Sequence, residues 1–303
     1  MTWLSNGAVE RLRSAAERPD FSGTRYRLLG EIGRGGMGVV YEAEDGALGR
    51  RVAVKVLAAE LASSKEADRL RREARTVAAL EHPGIVPVHD VGELPDGRVY
   101  YAMKLVRGEP LDAWARRTPS RTERLRAFLR VCEAVGFAHA NGVLHRDLKP
   151  ANVMVGEFGA VLVMDWGLAR GRDEPAAGSI GGTPGWMSPE QERGDEEALD
   201  AASDVYGLGA ILRFLAQEGG EPVPKPLQAV VEKAMREAKQ DRYAGAGALA
   251  ADVTGFLDGR PTTAYRENAL EKAGRWLSHN RPLVTIVAAY ILMRAIVFFF
   301  FRR

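Results

Sequence analysis

The sequence predicts an α+β protein of two lobes, a small β-sheet lobe with one main helix followed by a mostly α-helical lobe. Three observations carry this. Between residues 26 and 104, short β-rich runs alternate with glycines and a Pro-Asp-Gly turn. Beyond about residue 107, apolar residues recur at three- and four-residue spacings, and residues 283–301 are almost wholly apolar. Composition permits such an architecture: 303 residues, 46% hydrophobic and 27% charged, with 33 Gly and 15 Pro, exclude collagen-like, low-complexity and mostly disordered chains. At roughly 150 residues per domain, the length suits two domains or one two-lobed domain. A net charge of +2, from 42 basic and 40 acidic residues, gives no field that implies a nucleic-acid partner. The lone Cys132 rules out an internal disulfide framework and a cysteine-based zinc site, and fits a reducing compartment. No secretory signal is expected, because residues 1–30 hold no apolar run of the needed length.

In chain order, residues 1–25 read as an N-terminal extension. Strands are expected at Tyr26–Ile32, Val39–Ala43 and Arg51–Leu57, each bounded by glycine or polar turns. A helix follows near Ser63–Leu80, where Leu70, Ala74 and Val77 share one face. Val86–Val91 and Arg98–Lys104 complete five strands around the turn Pro95-Asp96-Gly97. Thr122–Ala140 reads as a helix that stops at Asn141-Gly142, and Val153–Val155 with Val161–Met164 as a short β pair. Helices resume at Ser203–Ala216, Pro226–Glu237 and Gly247–Leu257. The resulting domain, 26–259, divides near residue 106, and the seam between its lobes suits a ligand.

Three stretches carry chemistry. In Gly33-Arg34-Gly35-Gly36-Met37-Gly38, glycines at positions 1, 3 and 6 let backbone N–H groups approach phosphate oxygens. A plain hairpin is the competing reading. The following Val39–Ala43 reads as strand rather than helix, which disfavours a dinucleotide fingerprint, and no Gly-Lys-Ser/Thr of a Walker A loop is present. Lys55, inside the apolar run Val52–Val56, needs a partner or an escape to solvent, and Glu73 in the next helix is a candidate. The most specific stretch is His145-Arg146-Asp147-Leu148-Lys149-Pro150-Ala151-Asn152, followed at Asp165-Trp166-Gly167. A carboxylate, an ammonium and an amide within six residues suit hydroxyl activation, phosphate neutralisation and metal chelation, and Asp165 offers a second hard oxygen ligand.

Taken together and in this order, these motifs resemble the eukaryotic-type (Hanks-type) protein kinase family, in particular bacterial membrane-anchored serine/threonine kinases. The resemblance covers residues 26–259 and implies ATP and Mg²⁺ as ligands and protein Ser/Thr hydroxyls as acceptors. It implies that the backbone of Gly33, Arg34, Gly35, Gly36 and Gly38 covers the ATP phosphates. Val40 and Ala53 would roof the adenine, with Met154 as its floor. Lys55, held by Glu73, would contact the α- and β-phosphates. Met103 would guard the back pocket, with Lys104 to Val106 as the hinge. Asp147 would accept or orient the substrate hydroxyl, Lys149 would steady the γ-phosphate, and Asn152 and Asp165 would hold Mg²⁺.

Gly182–Glu190 resembles the end of an activation segment, where Thr183 would contact Asp147 and Lys149. Glu190 would pair with Arg242, and Asp204 would brace the catalytic loop, with a simple helix N-cap as the alternative for Asp204. Arg146 is expected to bind a phosphorylated activation segment, for which Ser179 and Thr183 are the nearby hydroxyls. Departures from the family pattern are Trp166 for the usual Phe, Ser188 for the usual Ala, and a short 215–230 segment where the family's substrate-docking helix is largely missing. His82, His89 and His139 have no metal-ligand spacing and read as packing or turn residues.

Residues 260–281 read as a juxtamembrane linker and 282–301 as a transmembrane helix with almost nothing beyond it. Leu283–Phe301 contains twelve Leu, Ile, Val or Phe residues, which contribute roughly −4 to −7 kcal/mol to insertion against about +2.5 to +3.5 for Arg294. Basic residues before the span slightly outnumber those after it, so the expectation is a single-pass cell-membrane protein with residues 26–259 in the cytoplasm. A homodimer is conceivable from this reading but has no residue of its own in support. The rival reading, from another class, is an ATP-binding scaffold without transfer activity.

Overall fold

The computed structural model describes residues 19–35, 38–59, 63–171 and 182–301, with the side chains in or beside helices and strands at 64, 170, 171, 278, 279, 281–283 and 299–301 left out. Gly36 and Ser179 lie outside the described residues.

The small lobe is one antiparallel sheet. Its strands β1 (Tyr26–Gly35), β2 (Gly38–Asp45), β3 (Arg50–Leu57), β4 (Val88–Glu93) and β5 (Val99–Lys104) lie in the order β1-β2-β3-β5-β4. The period-two alternation of strands decides which side each residue serves. Val52, Val54, Val56, Tyr100 and Ala102 face an outer cluster with Phe21 and Tyr26. Ala53, Leu57, Val99, Tyr101 and Met103 face inward and join the main core. Both faces are covered, so β3 and β5 read as continuous apolar runs rather than alternating ones. The same alternation places Lys55, opposite Tyr101 in the ladder, on the inner face. Gly38 is required by packing: a Cβ there would lie 2.1 Å from the Val56 carbonyl oxygen. At Gly33 and Gly35 an added Cβ meets nothing within 4 Å, so these two border open space.

Helix α1 (Ser64–Ala78) begins where the Ser63 hydroxyl accepts from the Glu66 N–H, and buries Ala67, Leu70, Ala74 and Val77 under the sheet. Its polar exception on that side is Glu73, 4% exposed. The lobes are stitched by Ile85 and Val163: the Val163 N–H donates to Gly84 O at 2.8 Å.

The large lobe starts with β6 (Gly108–Pro110) and α2 (Leu111–Arg117), the latter a helix the sequence reading did not separate. Helix α3 (Arg121–Ala140) is the lobe's spine; Leu125, Phe128, Val131, Cys132 and Val135 are fully buried along it. After β7 (Val143–Leu144) come β8 (Val153–Gly156) and β9 (Val161–Val163), which form a three-stranded sheet with β6, and β10 (Arg170–Gly171), which pairs with β7. Short α4 (Pro189–Glu192) precedes α5 (Ala201–Gln217), α6 (Lys225–Ala234) and α7 (Ala246–Leu257). Only residues 218–224 join α5 to α6, so no docking helix intervenes, as the short segment predicted.

The region expected to be a linker contains a capped helix, α8 (Ala269–His279), whose Asn268 and Glu271 form a reciprocal capping box. The expected span folds as α9 (Arg281–Phe301), a helix as foreseen. Yet among the described residues no helix is long and apolar enough to cross a membrane. Arg294 lies near the middle of this 21-residue helix, where a charge opposes insertion.

Candidate active site

Two groups of charged side chains meet where the lobes face each other. From the small lobe, Lys55 Nζ lies 2.8 Å from Glu73 Oε1 and 2.9 Å from Asp165 Oδ1. The Tyr101 hydroxyl donates to the same Glu73 oxygen at 2.8 Å. Lys55 therefore does not escape to solvent, and Glu73 is its partner, as the apolar surroundings of β3 required. Burial opposes its charge, but the carboxylates of Glu73 and Asp165 overcome that and hold its pKa well above the ordinary lysine value. Burial likewise pushes Asp165 up, and Lys55, with help from His145 and Lys149, holds it below the usual carboxylate value. Burial raises the Tyr101 phenol well above its ordinary pKa, so it stays a neutral donor.

The large-lobe group surrounds Asp147. Its Oδ2 accepts from Lys149 Nζ at 2.7 Å and from Asn152 Nδ2 at 3.0 Å, while its Oδ1 accepts from the Thr183 hydroxyl at 2.8 Å. Lys149 Nζ also donates to Thr183 Oγ1 at 2.6 Å, which closes a ring of three. Asn152 Nδ2 donates a second bond to the Asp147 carbonyl at 2.8 Å. With both contacts made through its nitrogen, Asn152 presents its amide oxygen as an acceptor. The Met164 N–H donates to Asn152 O at 2.8 Å, so the β8–β9 ladder sets Asn152 beside the residue that precedes Asp165. An amide oxygen and a carboxylate brought together this way fit a hard divalent cation. Among the described residues no cluster of three or more His, Cys, Asp or Glu is placed to hold a metal ion.

The loop that bears Asp147 is strained and braced. Arg146 and Asp165 have φ of 69° and 52°, in the left-handed region that non-glycine residues seldom occupy. Buried Asp204 accepts from the N–H groups of His145 and Arg146 at 2.8 and 2.9 Å and from His139 Nε2 at 2.8 Å. Asp204 is thus a brace and not a cap; Asp200 caps α5. Burial raises the Asp204 carboxyl, and the His139 bond with the other donors brings it below the ordinary value. The His145 ring packs on Trp166 with centroids 4.6 Å apart and bonds Met164 O at 3.0 Å, so Trp166, 1% exposed, keeps the apolar packing of the residue it replaces.

Glu190 and Arg242 form a buried two-pronged pair at 2.7 and 2.9 Å, and Ser203 Oγ donates to Glu190 at 2.8 Å. Met103 sits opposite Ala53 in the β3–β5 ladder, and Met154 opposite Pro110 at the β6–β8 edge. Val40 pairs opposite Lys55, and Lys104 leads from β5 toward Val106, which packs against the main core. Four residues that reach this site were missed from sequence: Tyr101, His139, Gln191, whose Nε2 donates to the Arg146 carbonyl at 2.7 Å, and Glu196, whose Oε1 lies 3.6 Å from Arg146 Nη2. Each acts on a partner far along the chain, and only the His139 position, two residues before Asn141-Gly142 at the end of α3, carried any local hint.

A sequence profile described as protein kinase domain matches residues 26–248. Serine/threonine-protein kinase PknB of Mycobacterium tuberculosis is 38% identical over 87% of this chain and 49% of its own length. Serine/threonine-protein kinase PknA of the same organism is 45% identical over 65% of this chain and 48% of its own length. The chain therefore spans about half the length of the curated relatives it matches. Among solved structures, the crystal structure of the Mycobacterium tuberculosis PknI kinase domain superposes with a TM-score of 0.59 at 27% identity, covering 77% of this chain and 96% of that one.

Proposed function

The chain belongs to the protein kinase family, and from that premise we propose that it is an active ATP- and Mg²⁺-dependent protein serine/threonine kinase. The observation that carries the proposal is the ring around Asp147: a carboxylate oriented by Lys149, Asn152 and Thr183, facing the buried Lys55–Glu73 pair across the lobes. In the transfer, a substrate Ser or Thr hydroxyl oxygen bonds to the γ-phosphorus of ATP. The bond from that phosphorus to the β–γ bridging oxygen breaks, ADP departs with the electron pair, and the hydroxyl proton passes to Asp147. Lys149 and Lys55 neutralise phosphate charge, and the open backbone at Gly33 and Gly35 admits phosphate oxygens. Asn152 and Asp165 would hold Mg²⁺, which when bound neutralises charge on the phosphate oxygens.

The scaffold reading lacks its usual mark, since Lys55, Asp147 and Asp165 are all present. The direct test is the full chain with labelled ATP, Mg²⁺ and a generic basic protein. Label on Ser or Thr is the expected result; ATP binding without any transfer would leave only the scaffold.

The proposal extends to a membrane anchor through α9. Its support is an outward apolar surface, with Ile286, Ile291, Leu292 and Phe298 each more than half exposed. Arg294 donates to the Tyr290 hydroxyl at 3.4 Å, a local partner that lowers the cost of its charge. The full chain should remain with membranes through a high-salt wash, whereas a chain ending at Gly259 should not; full chain released by salt alone would rule the anchor out.

A further inference from the structure

The stretch after Thr183 grips Arg146 at three points. Its N–H donates to Asp204 Oδ1 at 2.9 Å, its carbonyl accepts from Gln191 Nε2 at 2.7 Å, and its guanidinium Nη2 lies 3.6 Å from Glu196 Oε1. The Arg146 and Glu196 side chains are 8% and 9% exposed, so solvent screens their attraction little. The three partners come from successive elements, α4, the 3₁₀ turn Glu196–Ala198 and the first turn of α5. Together they hold a residue whose φ of 69° persists only when its surroundings dictate it. A buried arginine next to Asp147 calls for an anion, and this chain brings a carboxylate of its own within ion-pair reach.

We propose that Glu196 is a positioning residue for the transfer reaction. Its carboxylate orients Arg146 and, through the strained Arg146 backbone, holds Asp147 in working geometry without a phosphate on the activation segment. The inference rests on the kinase reading and revises the expectation that Arg146 awaits a phosphorylated hydroxyl. Thr183, one of the two candidates, already spends its hydroxyl between Asp147 and Lys149. A carboxylate offers one charge where a phosphate offers about −1.5 to −2, so phosphorylation is left to add a modest increment rather than to switch the site on.

The test compares wild type treated with a phosphatase, Glu196→Gln, Glu196→Asp, and Glu197→Gln as an exposed neighbouring control. Two quantities are read: steady-state transfer to a generic basic protein, and amide hydrogen exchange over residues 143–150. Phosphatase-treated wild type should keep its kcat to within about threefold. Glu196→Gln should lower kcat about tenfold with KM for ATP unchanged, because it disturbs aim rather than binding. Glu196→Asp should recover most of the loss, and exchange at 143–150 should quicken in Glu196→Gln alone. The proposal is overturned by kcat and exchange in Glu196→Gln that match wild type, or by phosphatase abolishing activity that preincubation with ATP restores. A wild type with no transfer activity would sink the kinase reading, and the exchange comparison would still decide whether Glu196 holds the loop.

Discussion

Lys55 and Asp204 each keep the site in order, but they do so in opposite ways. Lys55 divides its ammonium between Glu73 of its own lobe and Asp165 of the other, so its bonds change whenever the lobes or their ligands move. Asp204 is satisfied wholly within the large lobe by three donors and lies 3% exposed, so its geometry is complete once that lobe folds. The contrast separates two tasks. In the proposed transfer, the large lobe would hold the hydroxyl-handling Asp147 in a preset position, and the small lobe would bring Lys55 as a phosphate-handling charge free to trade partners. Preorganisation of the first kind is where most of the rate in such chemistry arises.

Substitutions can break this contrast in graded steps. Asp147→Asn should cost most, about 10³-fold in kcat as expected for loss of a positioned base, with thermal stability unchanged; a transfer assay beside a melting curve checks both. Next, Asp204→Ala should destabilise the fold by about 3 kcal/mol, because two buried N–H groups and His139 lose their acceptor. Urea unfolding measures this, and an unchanged midpoint would mean that the brace is dispensable. Lys55→Met should lower transfer about 10²-fold while leaving large-lobe unfolding where it was, which is the sharpest statement of the difference between the lobes.

Acid offers a gentler probe. Burial raises the Glu190 carboxyl, but the Arg242 guanidinium, together with a backbone N–H and the Ser203 hydroxyl, more than reverses this and brings its pKa from 4.5 down to about 2. Because the folded value lies below the unfolded one, the pair's stabilisation is complete above pH about 4.5 and is lost as pH falls toward 2. Glu190→Gln should therefore flatten the acid side of the stability profile between those values, read from unfolding midpoints at each pH. Smallest of all, Thr183→Ser keeps the hydroxyl between Asp147 and Lys149 and should change kcat by about twofold, whereas Thr183→Ala should lower it about tenfold by removing the bond; equal rates for the two would show that the ring is incidental.

Much of the site was legible because its members are close in sequence or follow a simple period. Asp147, Lys149 and Asn152 fall within six residues, and the alternation of β3 puts Lys55 on the inner face with Glu73 beneath it. The five strands, α1, α3 and the helices of the large lobe were likewise written in apolar spacing and turn residues. The helices α2, α4 and α8 were less visible: two of them are seven residues or fewer, and α8 turns its apolar residues outward, so burial gave no pattern to find.

The amino-acid order alone determined which chemical groups are available and which lobe carries each, since local periodicity and contiguous motifs need no knowledge of distant partners. Tertiary structure alone decided who restrains them. Tyr101 reaches Glu73 across 28 positions, Gln191 reaches Arg146 across 45, and His139 reaches Asp204 across 65. The left-handed backbone at Arg146 is of the same origin: no local preference of an arginine selects it, and hydrogen bonds from Asp204 and Gln191 hold it.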